Sequence, residues 1–436
     1  MRLNKSILSI IIKSYGVLAG LLFTVIVARI LGPEQYGVFA FALAVISILT
    51  IPAVFGMPAL IVRETAKYEI RKDYESIKGL WYWSSRLTLK ISLIIVFFVA
   101  AYYYFKIGVF NSEKNEALIL GVLSIPIIAM LALKNAALRG LRKVILGQLP
   151  EQVIKPSVML VIVSLSIFVG MDNLASFDAM MLYVAGVSIA LIASSRMLSK
   201  KKPMEINSVE KRIENKAWLK SVVPLAVVGG LDLILHQTDI VMLGIMSDAD
   251  QVGVYKIAVQ GAALTIIATE TLKLISAPYF ARYYDKGEMD KFQKLAVSNA
   301  RLGILIALPA AFIFIFLGEM LILKVFGDVY KAAYGPLVIL VIGQVIHVAI
   351  GVGGPLLNAC GYERKTLIAQ IFSAITNIIL NIVFIPIWGI EGAAWATFIA
   401  ILVRKILIWL MTIYYLRIDT SIFGVKFNSG KHNNES

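Results

Sequence analysis

Of 436 residues, 59% are hydrophobic and 16% charged, with a mean hydropathy of +0.82; soluble domains carry about 25% charged residues, so this chain belongs in a membrane. One cysteine, Cys360, excludes an internal disulfide, a Cys-rich zinc site and an iron–sulfur cluster. Three histidines, one of them (His432) near the polar C-terminus, argue against a His-based metal site, and no cofactor is expected. The net charge of +15 fits positively charged membrane loops rather than nucleic-acid binding.

A spanning helix needs about 20 mostly apolar residues. Twelve such stretches lie near 7–30, 36–62, 81–104, 117–138, 144–169, 175–197, 219–246, 252–280, 296–317, 333–358, 366–388 and 391–416. The first two are separated by Gly32-Pro33-Glu34-Gln35, which reads as a tight turn. Gly16-x-x-x-Gly20 in the first predicts close packing against a neighbour. Trp81, Trp83, Trp218 and Trp388 fall near helix ends, where interfacial anchors sit.

Lys and Arg gather in alternate connections: Arg63 to Lys78, Arg139 to Lys143, Arg196 to Lys220, Arg282 to Lys294, and Arg364 with Lys365. The opposite loops hold only Lys106, Lys114, Lys324 and Lys331. This asymmetry places both termini in the cytoplasm of a multi-pass protein of the cytoplasmic membrane. The basic stretch 199–217 is the one long connection and reads as a cytoplasmic linker. It divides a six-helix lobe over 1–198 from a second over 218–418, followed by a tail over 419–436.

The halves echo each other. Leu31-Gly32 with Gly37-Val38-Phe39 answers Leu243-Gly244 with Gly253-Val254-Tyr255, and Gly140-Leu-Arg-Lys143 with Gln148 answers Gly361-Tyr-Glu-Arg-Lys365 with Gln370. Six helices per half makes this a parallel repeat, related by a pseudo-two-fold along the membrane normal.

Ions at bilayer depth cost about 2.5–3.5 kcal/mol each on insertion scales, so they are expected to face a central water-filled cavity. Asp232, His236 and Asp239 share one helix face; Lys256, Gln260 and Glu270 share another. Gln370, Ser373, Asn377 and Asn381 form a polar stripe, and Gln148, Glu151, Gln152 and Lys155 a further one. The bland reading of such stripes is hydrogen bonding between helices. Lys13, Lys90, Lys134, Lys155, Lys256, Lys273 and Arg301 outnumber the acids Glu151, Asp232, Asp239 and Glu270, which points to an anionic cargo. Lys13, Lys155, Lys256 and Arg301 are the candidates to hold phosphate oxygens. Gln260, Gln370, Asn377 and Asn381 are candidates for sugar hydroxyls. Asp232, His236, Asp239 and Glu270 are candidates for a coupling ion or for charge balance.

VARILGPEQYGVFAFALAV, followed by Gly56-Met57 and Val62-Arg63-Glu64, resembles the start of bacterial polysaccharide transporters, the O-antigen or oligosaccharide-lipid flippases. The stretch from Pro224 through Asp239 to Lys256, and Asn358 to Lys365, resemble the same family. The likeness covers nearly the whole chain. Its superfamily also holds multidrug and toxin extrusion transporters and the lipid II flippase.

The resemblance implies two lobes around a cationic cavity that alternates its access. The implied cargo is an undecaprenyl-pyrophosphate-linked oligosaccharide: an O-antigen, capsule or exopolysaccharide repeat unit. Coupling to a proton or sodium gradient follows by analogy, with a polysaccharide polymerase or chain-length regulator as partner. The lipid II branch carries an Arg-Asp pair where this chain has Phe23-Thr24, and two further C-terminal helices. A repeat-unit flippase is therefore favoured over a lipid II flippase, and the cationic excess disfavours a multidrug cation antiporter. Outer loops are too short to house an extracytoplasmic catalytic domain, so no enzyme is expected.

Overall fold

The computed structural model describes residues 2–107, 113–170 and 174–425. Among them the protein is all-helical and divides into two compact units, Met1–Gly244 and Ile245–Ser436.

The first unit contains α1 (Arg2–Val54), α2 (Met57–Arg71), α3 (Tyr74–Ile107), α4 (Glu113–Leu123) and α5 (Ile125–Gly140). After a π-helical turn, Pro150–Ile154, come α6 (Lys155–Phe168), α7 (Ser176–Lys201), the short α8 (Glu205–Ser208) and α9 (Asn215–Met246). The second unit contains α10 (Ala249–Leu264), α11 (Ile267–Asp285), α12 (Met289–Phe316), α13 (Gly318–Val325) and a 3₁₀ turn, Asp328–Ala333. It continues with α14 (Tyr334–Ile350), α15 (Gly353–Ala359), α16 (Glu363–Met411) and a closing π-helical turn, Thr412–Leu416.

Eight helical stretches among the described residues are long and apolar enough to cross a membrane. Two of these, Leu8–Val54 and Glu363–Leu416, are 47 and 54 residues long, enough for two crossings each at about 20 residues per crossing. Their mid-points are kinks. Gly32 takes φ 70°, ψ 174° and Gly389 φ 54°, ψ −126°, so each long helix is two rods meeting at one glycine. The turn expected over residues 32–35 is thus a one-residue kink, with Pro33 starting the next rod, where its missing N–H costs nothing.

Elsewhere single predicted spans are broken. The second ends at Val54 and resumes at Met57 across left-handed Gly56, whose missing Cβ admits the backbone of Ala226. Others divide at Ser124 before Pro126, at Thr265–Ile266 and at Gly351.

The linker is not a free tether. Arg212 N–H donates to the Glu75 carbonyl at 3.1 Å, and the Arg212 side chain pairs with Glu75 at 2.7 Å and Asp73 at 3.6 Å. Lys78 Nζ donates to the carbonyls of Asn207 and Val209. Gly79 has no side chain to obstruct the Arg212 carbonyl, which lies directly against it.

Beside this docked linker sits a core of Met57, Leu60, Ile61, Leu80, Leu133, Leu138 and Trp218. Trp218 is 2% exposed, stacks at 5.4 Å on Trp83 and donates Nε1–H to Tyr68. Trp81 donates to Thr65 Oγ1 at 3.0 Å. Trp218 is therefore a core residue and not the interfacial anchor expected from its position. In the GxxxG pair, only Gly16 makes a close approach, to Gln152 of the π turn; Gly20 faces open space.

In the second unit the corresponding core joins Phe280, Phe292, Leu356, Leu357 and Ile408 to Leu416 and Ile418. Residues 419–425, which read as the start of a tail, form a docked strap. The break at Gly351 leaves helix-end carbonyls without helical partners. Ile422 N–H donates to the Ala349 carbonyl, Thr420 Oγ1–H to Ile350, and Lys405 Nζ to Gly351. The polar tail beyond residue 425 lies outside the described residues.

Candidate functional site

In the first unit, α1 runs alongside the π turn and α6. Ser9 Oγ donates to Gln148 Oε1 at 2.8 Å, Gly16 packs on Gln152, and the Tyr15 hydroxyl bonds Ser157 Oγ at 2.7 Å. Contacts rising together along both segments mean a parallel pair. They flank Lys13 on α1 and Lys155 at the start of α6, so the two cations lie on adjacent helices. Lys13 is exposed. Lys155 is half-buried, with Nζ 5.5 Å from the centre of the Tyr183 ring, a cation–π contact. Both sit beside a π-helical turn, a local widening that recurs at functional sites because it re-aims the following side chains.

The acidic face of α9 is only partly on view. Asp239 is buried at 6% exposure and His236 is exposed. The side chains of Asp232, Glu270 and Lys273 lie outside the described residues.

In the second unit Lys256 and Gln260 occupy half-buried positions on α10, one turn apart. Lys256 has no hydrogen-bond or ion-pair partner among the described residues. Arg301 is exposed, and its Nε–H donates to the Ile422 carbonyl at 3.0 Å, tying α12 to the strap.

The stripe on α16 is placed differently from a ligand-facing surface. Beyond the kink at Gly389, α16 folds back along itself. Ser373 Oγ donates to the Ala400 carbonyl at 2.8 Å, Asn377 Nδ2 to Thr397 at 3.3 Å, and Asn381 Nδ2 to Asn377 Oδ1 at 3.2 Å. Asn377 and Asn381 are 2% and 0% exposed. In this conformation they fasten two rods of one helix, the bland reading of such a stripe. Gln370, near the end of the same stripe, keeps a buried Oε1 with no hydrogen-bond partner among the described residues.

Sequence reading missed two features. Lys405, 6% exposed, is the most buried lysine of the second unit's described residues, yet in sequence it is merely the neighbour of another cation, Arg404. A cavity where α10, α13, the 3₁₀ turn, α14 and α16 meet was also unseen, because its residues are scattered from Gln251 to Glu391.

A family model described as Polysaccharide biosynthesis protein matches residues 3–284, well over half of the chain. The chain belongs to this family. A second model, MatE, matches residues 224–383. The family member is 27% identical over 393 residues to a protein of Haloferax volcanii named Probable low-salt glycan biosynthesis flippase Agl15, covering 87% of this chain and 77% of that one. Its fold is shared with an inward-facing multidrug resistance MATE family transporter of the MOP superfamily, at TM-score 0.76 and 16% identity, over 92% of this chain and 95% of that one. The lipid II flippase MurJ, inward closed, aligns at TM-score 0.72 and 16% identity, over 93% and 87%. The protein is thus a multi-pass membrane protein of this family, all-helical among its described residues, with the fold shared by MATE transporters and MurJ.

Proposed function

We propose that this protein carries an undecaprenyl-pyrophosphate-linked oligosaccharide from the cytoplasmic to the outer leaflet of the cytoplasmic membrane by alternating access between lobes 1–198 and 218–418. The observation that carries this reading is the packing of α1 along the π turn and α6, the two segments that carry Lys13 and Lys155. A diphosphate spreads its charge over several oxygens, and two ammonium groups entering from neighbouring helices meet that spread better than one. Lys256, half-buried on α10, is a further candidate for phosphate oxygens in the second unit, and Gln260 and Gln370 are donors and acceptors for sugar hydroxyls. The lipid tail remains in the bilayer. Asp239, His236, Asp232 and Glu270 bind the coupling proton or sodium ion, or balance the cations. Both termini are cytoplasmic, which fits the basic loops. The family match and the flippase named above support the lipid-linked glycan as cargo.

The test is display of surface glycan in cells carrying Lys13→Ala, Lys155→Ala or both, at unchanged protein level. Loss of display, larger in the double variant, is expected. Normal display in the double variant would falsify the assignment, and drug accumulation without a glycan defect would favour a cation exporter.

A further inference from the structure

The cavity at the meeting of α10, α13, the 3₁₀ turn, α14 and α16 has a volume of about 760 Å³, within the range of sites for small organic molecules. It lies wholly in the second unit, on the side that the lysine and arginine distribution assigns to the outside. Its wall combines Gln251, Glu319, Lys331, Tyr334, Trp388 and Glu391.

Glu319 and Lys331 form an ion pair at 3.1 Å. Glu391 has no ion-pair partner among the described residues, so the charged groups of the wall sum to one negative charge. A diphosphate is repelled by such a site. Gln251 Oε1 is buried without a hydrogen-bond donor among the described residues, an arrangement that is unfavourable unless a donor arrives. The wall therefore presents the carboxylate acceptors of Glu319 and Glu391 beside the Gln251 amide oxygen.

Two glycines shape it. A Cβ on Gly389 would come within 2.9 Å of Gln251 Oε1, and one on Gly335 within 2.8 Å of Glu391 Oε1. Both acceptors lie against bare backbone, in positions a side chain would block. Trp388 is 52% exposed and completes the rim with a broad apolar ring.

Acceptors seeking hydroxyl donors, beside an exposed aromatic face, match a saccharide: its hydroxyls donate to carboxylate and amide oxygens, and its C–H face covers the indole. We propose that this cavity is an outer-facing saccharide site, which receives the glycan portion of the cargo and takes no part in holding its diphosphate. The proposal rests on the flippase reading and adds a place where the sugars bind after crossing.

The probe is the oligosaccharide released by mild acid from the lipid-linked glycan of the source cells, free of lipid and phosphate. Its binding to the full chain in nanodiscs is followed by equilibrium dialysis. The wild-type protein binds it; Trp388→Ala and Glu391→Gln each weaken binding at least tenfold, and Trp388→Phe retains most of it. Both side chains are exposed, so thermal unfolding of these variants stays that of the wild type and a loss of binding is not a loss of fold. Unchanged binding in both variants, no binding by the wild type, or binding of tetraphenylphosphonium in place of the oligosaccharide overturns the site. Movement of lipid-linked glycan in proteoliposomes is measured in parallel. Movement by the wild type with unaffected binding in the variants removes the saccharide site alone, whereas absent movement by the wild type removes the flippase reading and the site with it.

Discussion

Asp419 is the pin of the C-terminal strap, and replacing it by Ala isolates what the strap contributes. Its carboxylate is 1% exposed and accepts from Trp409 Nε1 at 2.9 Å, Ser421 N–H at 2.8 Å and Val425 N–H at 2.8 Å. Hydrogen bonds to a charged group contribute about 1.5–3 kcal/mol each when the partner stays buried. On undocking, the two strap amides recover water, so the net loss is about 2–4 kcal/mol for the set.

This loss is local, because the strap can leave Gly351 while the long helices stay packed. At about 1.4 kcal/mol per tenfold, hydrogen exchange at Ser421, Ile422 and Val425 accelerates roughly 30- to 700-fold in Asp419→Ala. Amides in α14 well before the break keep their protection. Unchanged exchange at these three amides would show that the strap is held by other contacts, and the reasoning would fail.

The pH dependence follows. Burial alone raises the Asp419 pKa, but the donors from Trp409, Ser421 and Val425 outweigh it and hold the group below its ordinary 3.8. A carboxylate depressed in the docked state stabilises docking fully above the ordinary value and loses that contribution as pH falls through the lower one. Strap protection, corrected for intrinsic exchange, is accordingly flat through neutral pH and declines only in acid below about pH 4.

Gly79→Ala drives a methyl group into the Arg212 carbonyl and releases the linker, costing about 1–3 kcal/mol as overpacking does; thermal unfolding and faster trypsin cleavage at Lys211 and Arg212 report it, and unchanged cleavage would count against the docked linker. Burial, aided by Asp285, pushes the Cys360 thiol up to about 11, so its alkylation by iodoacetamide rises about tenfold per pH unit from 7 to 10; a plateau near pH 8.5 would contradict that environment. Gly351→Ala meets the Thr420 carbonyl at a backbone angle of φ +90°, and it should undock the strap with the same exchange signature as Asp419→Ala; retained protection would refute the fit. In transport, Lys155→Ala lowers the rate of glycan movement more than Lys90→Ala, whose side chain on α3 is exposed; equal effects would argue against a specific cation pair.

The sequence alone determined the membrane class, the helical fold and the family, because each rests on local and additive quantities. Apolar length sets a spanning helix, loop charge biases its orientation, and the VARILG stretch with its echo around Gly244 carries the family. Glycine and proline positions also located most breaks, since a helix fails where φ must turn positive or an N–H is missing. Tertiary structure decided which polar residues remain for a ligand. Asn377 and Asn381 look like Lys13 and Lys155 in a helical projection, yet the fold-back at Gly389 spends the first pair on its own helix. Ser9, Gly16 and Tyr15 pack the helices that carry the second pair against each other. The reason is that a stripe specifies only which residues share a face, while the partner of that face is set by packing between elements far apart in the chain. The same holds for Asp419 and the cavity at Glu391, whose chemistry exists only once distant segments meet.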